Sequence, residues 1–217
     1  MEPMEPEIIP AILVKTRDEL LARISSVLPF VKEIQLDIMD GEFVPNKTIG
    51  LEDLKNLPPA KYEFHWMVKN PLKWIEQIPG PHTHLVHVET IDSKEFEKIT
   101  TAIKLKGGKI GLALNPETPL ETLLPFVPKA KRILIMTVHP GFSGQNYIEQ
   151  MGKKIKKLRQ LYPNLDIEVD GGINHSSAAH AYSCGANILA AASAIFSSSD
   201  IKSAIADLKK AAIGVPS

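Results

Sequence analysis

Short apolar segments alternate with segments of helical periodicity along almost the whole chain, and this alternation limits the possible folds more than any other feature. Eight strand-helix units in one chain of 217 residues predict the α/β class, as a single (β/α)8 TIM barrel over residues 1–217. A doubly wound open sheet is the alternative, but the glycine-rich turn that usually follows its first strand is missing. The strands are predicted at 8–13, 34–41, 62–68, 84–89, 109–114, 132–136, 166–170 and 187–191. The helices are predicted at 17–28, 51–57, 71–78, 93–106, from 120 onward, 146–161, 175–183 and 200–212.

Charge and composition argue against nucleic-acid and membrane partners. Lys+Arg and Asp+Glu each number 25, so no basic excess attracts nucleic acid or an anionic bilayer. No apolar run approaches the length of a membrane span, and the first residues lack the apolar core of a signal peptide. We therefore expect a cytoplasmic protein in which residues 1–7 form a flexible N-terminal tail. The single cysteine, Cys184, excludes an intramolecular disulfide.

Two predicted strands each carry a carboxylate toward their C-terminal end. Side chains alternate along a strand, so Gln35, Asp37 and Met39 share one face. In a barrel, Asp37 of the second strand and Asp170 of the seventh lie on opposite sides of the mouth, where such folds carry their sites. One carboxylate can remove a proton α to a carbonyl, and the other can return a proton to the opposite face of the carbon. The alternative is that each aspartate only caps a turn.

One histidine and one amide accompany the two aspartates. His65 lies on the third predicted strand, where it is either a metal ligand beside the aspartates or a buried core histidine. Gln35, on the same face as Asp37, either coordinates weakly or only donates hydrogen bonds. His87 and Glu89 share a face of the fourth strand, and we interpret them as barrel filling or as support for the site.

Three segments rich in glycine and serine follow the sixth, seventh and eighth predicted strands. Loops after the last strands of a barrel often bind phosphate through backbone N–H groups. The segments therefore predict a phosphate site. Its candidate residues are Gly141, Phe142, Ser143, Gly144, Gly171, Gly172 and Ser193.

Six motifs along the chain resemble the ribulose-phosphate 3-epimerase family, and they occur in family order. They are LDIMDGEFVPN at 36–46, HWMV from His65, HVE from His87, IMTVHPGFSGQ at 135–145, EVDGGI from Glu168 and SAIF from Ser193. The resemblance implies a (β/α)8 barrel that interconverts D-ribulose 5-phosphate and D-xylulose 5-phosphate through a cis-enediolate. It also implies a divalent metal, usually zinc or iron, at the site.

The resemblance assigns roles position by position. Asp37 and Asp170 resemble the family's acid/base pair and two of its metal ligands, and His65 resembles a third ligand. The phosphate would be held by the seven residues named above. The side chains that would line the reacting centre are Met39, Met67 and Met136. We also expect a homo-oligomer.

The chain departs from the family pattern at several positions. Gln35 stands where the family has a fourth ligand, a histidine, and an amide oxygen is a poorer zinc ligand than imidazole. This departure predicts a metal, whether zinc, iron or manganese, that is weakly held or absent. The first strand, at 10–15, lacks the family's serines, Ala192 replaces a glycine, and His139 replaces an asparagine.

The departures leave two alternatives to the pentulose-phosphate epimerase open. One is an epimerase of a six-carbon ketose phosphate, whose longer substrate the changed first strand would accommodate. The other is a relative that binds a sugar phosphate without turning it over. The second alternative has no use for two intact aspartates as proton carriers.

Overall fold

The eight predicted strands form one closed parallel barrel. A computed structural model describes residues 4–215, and within them each strand pairs with the next while the eighth pairs with the first. The strands are β1 (Glu7–Ile12), β2 (Glu33–Met39), β3 (Lys61–Met67), β4 (Thr83–His87), β5 (Lys109–Leu114), β6 (Arg132–Met136), β7 (Asp166–Asp170) and β8 (Ile188–Ala191). The predicted (β/α)8 fold is confirmed, and the open-sheet alternative is wrong.

Helices surround the barrel, and four of the seven within residues 4–215 begin at a side chain that caps them. They are α1 (Arg17–Val27), α2 (Pro71–Ile75), α3 (Ser93–Leu105), α4 (Gly152–Leu161), α5 (His175–Ser183), α6 (Ser193–Phe196) and α7 (Ile201–Ala212). The side chain of Asp92 accepts from two backbone N–H groups at the start of α3, and Glu95 returns the bond in a capping box. Asn174 and Ser177 cap α5 in the same way. No helix within residues 4–215 is both long and apolar enough to cross a membrane.

The barrel has an apolar layer outside the strands and a polar interior at both ends. Outward-facing residues such as Leu36, Ile133 and Val169 pack against helix residues such as Ile155. Inside, Leu85, Ala113, Leu134, Met136 and Val138 form a separate apolar cluster. A Cβ at Gly111 would lie 2.5 Å from Leu85 Cδ2, so a larger residue there would require Leu85 to shift. The interior is therefore filled with side chains, as expected for a barrel of this size.

Two predicted helices are absent or shortened. Residues 51–56 form successive turns instead of a helix, ahead of Pro58 and Pro59. After Leu120 the chain makes two short 3-10 turns, Leu120–Thr122 and Val127–Lys129, in a segment that contains Pro125. Short loops here leave the strand positions unchanged.

Several element boundaries differ from the sequence-based prediction. The α2 helix ends at Ile75, and α4 begins only at Gly152, after a 3-10 turn at Glu149–Met151. The fourth strand ends at His87, and a 3-10 turn at Val88–Thr90 carries Glu89.

Part of the predicted N-terminal tail, residues 1–7, contacts the rest of the protein. Residues 1–3 lie outside the described part of the chain. The carbonyl of Met4 accepts a hydrogen bond from the Tyr182 hydroxyl at 3.0 Å, and Glu5 pairs with Lys209 at 2.7 Å. Glu7 already belongs to β1, so the strand starts one residue earlier than the sequence predicts.

Candidate active site

Strand register brings the predicted site residues together at the C-terminal end of the barrel. Asp37 of β2 lies opposite His65 of β3, and Met39 lies opposite Met67 in the same pair of strands. On the far side, Met136 of β6 pairs with Asp170 of β7. Because these side chains all point inward, the register alone directs both aspartates to one cavity.

Asp37, His65 and Asp170 converge on one point. His65 Nδ1 lies 3.1 Å from Asp37 Oδ1 and 3.5 Å from Asp170 Oδ2. One ligand atom from each residue lies within 4.8 Å of the others, a spacing that can hold a metal ion. His65 is thus part of the site and not an isolated core histidine.

Gln35 completes this cluster with its amide group. Gln35 Nε2 donates to Asp37 Oδ1 at 2.8 Å and to Asp170 Oδ2 at 2.7 Å, and it lies 3.5 Å from His65 Nδ1. The amide thereby bridges two carboxylates that would otherwise repel each other. Gln35 Oε1 is buried and has no hydrogen-bond partner among the described residues.

The charges of the cluster depend on one another. Burial and the nearby charge of Asp170 raise the pKa of Asp37, against the opposing hydrogen bonds from His65 and Gln35. Burial opposes protonation of His65, but its hydrogen bonds to Asp170 and Asp37 and their charges raise its pKa to about 9. The cluster therefore favours a cation among its two carboxylates, either a proton on His65 or a metal ion.

The residues present fit a divalent metal. Two carboxylate oxygens and an imidazole nitrogen are a donor set that zinc, iron and manganese accept. Rotation of the Gln35 amide by half a turn exchanges Oε1 with Nε2 and presents the unpartnered oxygen to the same point. The donors therefore number three without Gln35 and four with it.

A cavity opens directly above the cluster. Three methionines, Met39, Met67 and Met136, form an almost fully buried apolar wall around the two aspartates. The rest of the lining includes every residue of the phosphate site that was predicted from the segments rich in glycine and serine. These residues are Gly141, Phe142, Ser143, Gly144, Gly171, Gly172 and Ser193.

Glycine is required on the far wall of the cavity. Gly171 has φ +120°, and a Cβ there would lie 2.4 Å from Val138 Cγ2. Gly172 has φ +67°, and a Cβ there would lie 2.5 Å from the backbone nitrogen of Tyr147. The loop after β7 can therefore pack this closely against the segment after β6 only with glycine at both positions.

Several residues that support the site were not identified from the sequence. The Thr48 hydroxyl donates to the carbonyl of Asp37 at 2.9 Å and accepts from the backbone N–H of Met39, which fixes the end of β2. The Thr137 hydroxyl lies 2.9 Å from the carbonyl of Asp170 and 2.7 Å from that of Gly171. A single threonine in a loop carries no distinctive signal, so only the three-dimensional arrangement reveals these contacts.

Two further side-chain contacts lie in the loops around the cavity. His139 lies 2.8 Å from Glu117 on the surface, where it takes no part in the cluster. Asn46 donates to the carbonyl of Gly141 at 2.6 Å and joins the loop after β2 to the loop after β6. These two loops frame the same side of the cavity mouth.

Residues 6–196 match the model of the ribulose-phosphate 3 epimerase family. The chain belongs to this family. It is 38% identical over 189 residues to the cytoplasmic isoform of ribulose-phosphate 3-epimerase from Oryza sativa subsp. japonica, covering 83% of this chain and 82% of the relative. It is 39% identical over 185 residues to ribulose-phosphate 3-epimerase from Methanocaldococcus jannaschii, covering 82% and 78%.

The fold also resembles solved structures at much lower sequence identity. The crystal structure of 3-hexulose-6-phosphate synthase from Salmonella typhimurium matches with a TM-score of 0.70 at 14% identity. The match covers 95% of this chain and 98% of that one. At this identity the likeness supports the barrel fold alone.

Proposed function

We propose that this chain epimerises C3 of D-ribulose 5-phosphate to give D-xylulose 5-phosphate. One observation carries the proposal: Asp37 and Asp170 face a single cavity from opposite strands, with a shared hydrogen-bond donor between them. Family membership and the names of the relatives support D-ribulose 5-phosphate as the substrate.

The two aspartates act as base and acid on opposite faces of C3. One carboxylate removes the C3 proton, which gives a planar cis-enediolate, and the other carboxyl returns a proton from the opposite face. Burial favours the protonated form of Asp37, so that Asp37 can hold the proton that is returned when Asp170 acts as the base. The reverse reaction exchanges these roles.

The cluster below the cavity stabilises the negative charge of the enediolate. We assign Asp37, His65 and Asp170 as ligands of a zinc, iron or manganese ion, with the Gln35 amide oxygen as a weaker fourth ligand. When bound, such an ion supplies positive charge beside the developing oxyanion. The pre-placed side chains also limit the reorganisation that the reaction requires.

The rest of the cavity orients the substrate. The methionine wall excludes water from the reacting carbon, and the backbone N–H groups of the three loops bind the phosphate. We include in the proposal a cytoplasmic location and a homo-oligomer. The rice relative, named a cytoplasmic isoform, supports the location.

Exchange of the C3 hydrogen in heavy water tests this function. The purified protein, with its metal content measured, is incubated with D-ribulose 5-phosphate, and product and deuterium at C3 are followed by NMR. We expect D-xylulose 5-phosphate with deuterium at C3. Exchange that is faster with a six-carbon ketose phosphate would move the assignment to that substrate, and no exchange with either would leave a binding protein.

A further inference from the structure

A continuous line of hydrogen bonds leads from the acid/base cluster to the surface through two residues that the mechanism does not use. His65 Nε2 lies 2.9 Å from His87 Nε2, and the two rings are nearly parallel. His87 Nδ1 lies 3.2 Å from Glu89 Oε2. Both histidines are fully buried, so water does not compete for these contacts.

Glu89 is fixed as a hydrogen-bond acceptor at the outer end of this line. Its Oε1 accepts from the backbone N–H of Asn115 at 2.8 Å and from the Thr118 hydroxyl at 2.5 Å. Burial opposes ionisation, but bonds from His87, Thr118 and Asn115 lower the pKa of Glu89 to about 2. The 3-10 turn after β4 folds Glu89 back toward His87, whereas a continuing strand would carry it further away.

The direction of every bond follows from that fixed end. A carboxylate cannot donate, so His87 Nδ1 must carry the hydrogen that Glu89 accepts. A neutral His87 then has a bare Nε2, which accepts from Nε2–H of His65. In the form of His65 that binds a metal, the lone pair is thereby on Nδ1, the atom that faces Asp37 and Asp170.

We propose that His87 and Glu89 are positioning residues that hold the hydrogen of His65 on Nε2 and direct the lone pair of Nδ1 into the acid/base cluster. The inference rests on the proposed function only in giving that lone pair a metal to bind. Outer partners of this kind commonly change metal affinity 10- to 100-fold. Because the Nε2–H of His65 is already held by His87, Nδ1 is the nitrogen that is available when the metal arrives.

Nitrogen-15 NMR of the histidine rings tests the direction of the bonds. In the unaltered protein we expect His87 as one tautomer, with hydrogen on Nδ1 and none on Nε2, both before and after zinc is added. A His87 that carries its hydrogen on Nε2, or that exchanges between tautomers, would overturn the proposal without any variant.

Glu89→Gln then tests the consequence for the metal, with Glu117→Gln as the matched control. Glu117 is a surface glutamate two residues beyond Asn115, and its partner is His139. We expect Glu89→Gln to mix the tautomers of His87 and weaken zinc binding 10- to 100-fold by calorimetry, and Glu117→Gln to change neither. Weaker binding with the tautomer unchanged would mean a merely structural role and would refute the proposal.

The two measurements use zinc alone and no sugar phosphate. An unaltered protein with the expected tautomer but without epimerisation would contradict the proposed function and leave this inference standing. Epimerisation by an unaltered protein in which His87 does not have the expected tautomer would contradict only the inference.

Discussion

The barrel interior holds a buried acidic cluster at each end, and only one of them contains its own permanent cation. At the N-terminal end, Arg132 lies 3.1 Å from Glu33, contacts Glu63 directly and lies 3.4 Å from Glu168. We call these four residues the floor cluster. At the C-terminal end, Gln35, Asp37, His65 and Asp170 form the mouth cluster, which has an amide and a titrating imidazole in place of a guanidinium.

The same strands build both clusters with a spacing of two residues. Strand β3 supplies Glu63 and His65, and β7 supplies Glu168 and Asp170. Side chains two apart on a strand share a face, so a residue's depth in the barrel decides which cluster it joins. In the floor cluster the Arg132 guanidinium balances carboxylate charge, whereas the mouth cluster needs a proton, a metal or a substrate to do so. The difference separates a structural ion network from a reactive one.

Replacing either aspartate of the proposed catalytic pair with asparagine should have the largest effect, a loss of kcat. Asp37→Asn or Asp170→Asn removes the acid/base group and should lower kcat about 10²- to 10⁴-fold, as measured with D-ribulose 5-phosphate. The matched control is Glu168→Gln, an acid-to-amide change two residues earlier on β7. Its kcat should stay within about twofold, and a large loss there would show that the two clusters act as one.

Loss of the floor cation should cost stability and spare catalysis. Arg132→Met leaves Glu63 and Glu168 buried without their counter-ion, and breaking a buried pair in this way costs about 3–5 kcal/mol. Urea unfolding should show that loss, while kcat of the folded fraction stays near that of the unaltered protein. If unfolding were unchanged, the three carboxyls would have to be neutral without Arg132.

The floor cluster could not be predicted from the sequence, although the mouth largely could. The strands at 109–114, 132–136 and 166–170 are confirmed to the residue, because their apolar residues are bounded on both sides by helical or turn-forming segments. Asp37 and Asp170 stood out as carboxylates at strand ends. Arg132 and Glu63, by contrast, lie at strand starts where a charged residue is ordinarily solvent-exposed, and only barrel closure brings them together.

The site details depend on contacts between distant parts of the chain. The sequence placed Gln35 on the face of Asp37 but gave no sign that its amide would bridge to Asp170, 135 residues later. It likewise grouped His87 with Glu89 on one strand face, while the 3-10 turn that joins them depends on where β4 ends. The local sequence pattern predicts which face of a strand a side chain lies on, and tertiary packing determines which residues it contacts.

The floor cluster should make stability fall as the pH rises. Burial raises the pKa of Glu63 to about 7, against the opposing charge of Arg132. The folded state thus binds a proton more tightly than the unfolded chain does, and its stabilising effect is full below pH 4.5 and is lost as the pH passes about 7. The raised pKa of Glu168 acts in the same direction.

Glu63→Gln tests that dependence. Urea unfolding of the unaltered protein should lose on the order of 2 kcal/mol between pH 5 and pH 8, and the variant should lose less. Glu97→Gln, a surface glutamate paired with Lys129, serves as the control and should keep the full slope. A slope of equal size in Glu63→Gln would assign the titration to another group, such as Asp37 in the mouth cluster.

Gln35→His should give the smallest of these effects, a change in the metal affinity of the mouth cluster. Gln35→His replaces an amide that bridges two carboxylates with an imidazole nitrogen, a better ligand for zinc than an amide oxygen. Calorimetry should show tighter zinc binding, and kcat should rise where the unaltered protein is not saturated with metal. Gln77→His, on the exposed surface of the chain, controls for adventitious binding by an added histidine.

A second variant at position 35 separates the two roles of the amide. Gln35→Leu removes the donor to both carboxylates as well as the oxygen that can face a metal. Without the bridge the two aspartates repel more strongly, so the metal-free protein should lose stability while zinc, bound by the three remaining ligands, restores it. If Gln35→His and Gln35→Leu both left zinc affinity and stability as they were, the side chain would not face the cluster at all, and the charge balance of the mouth would rest on His65 alone.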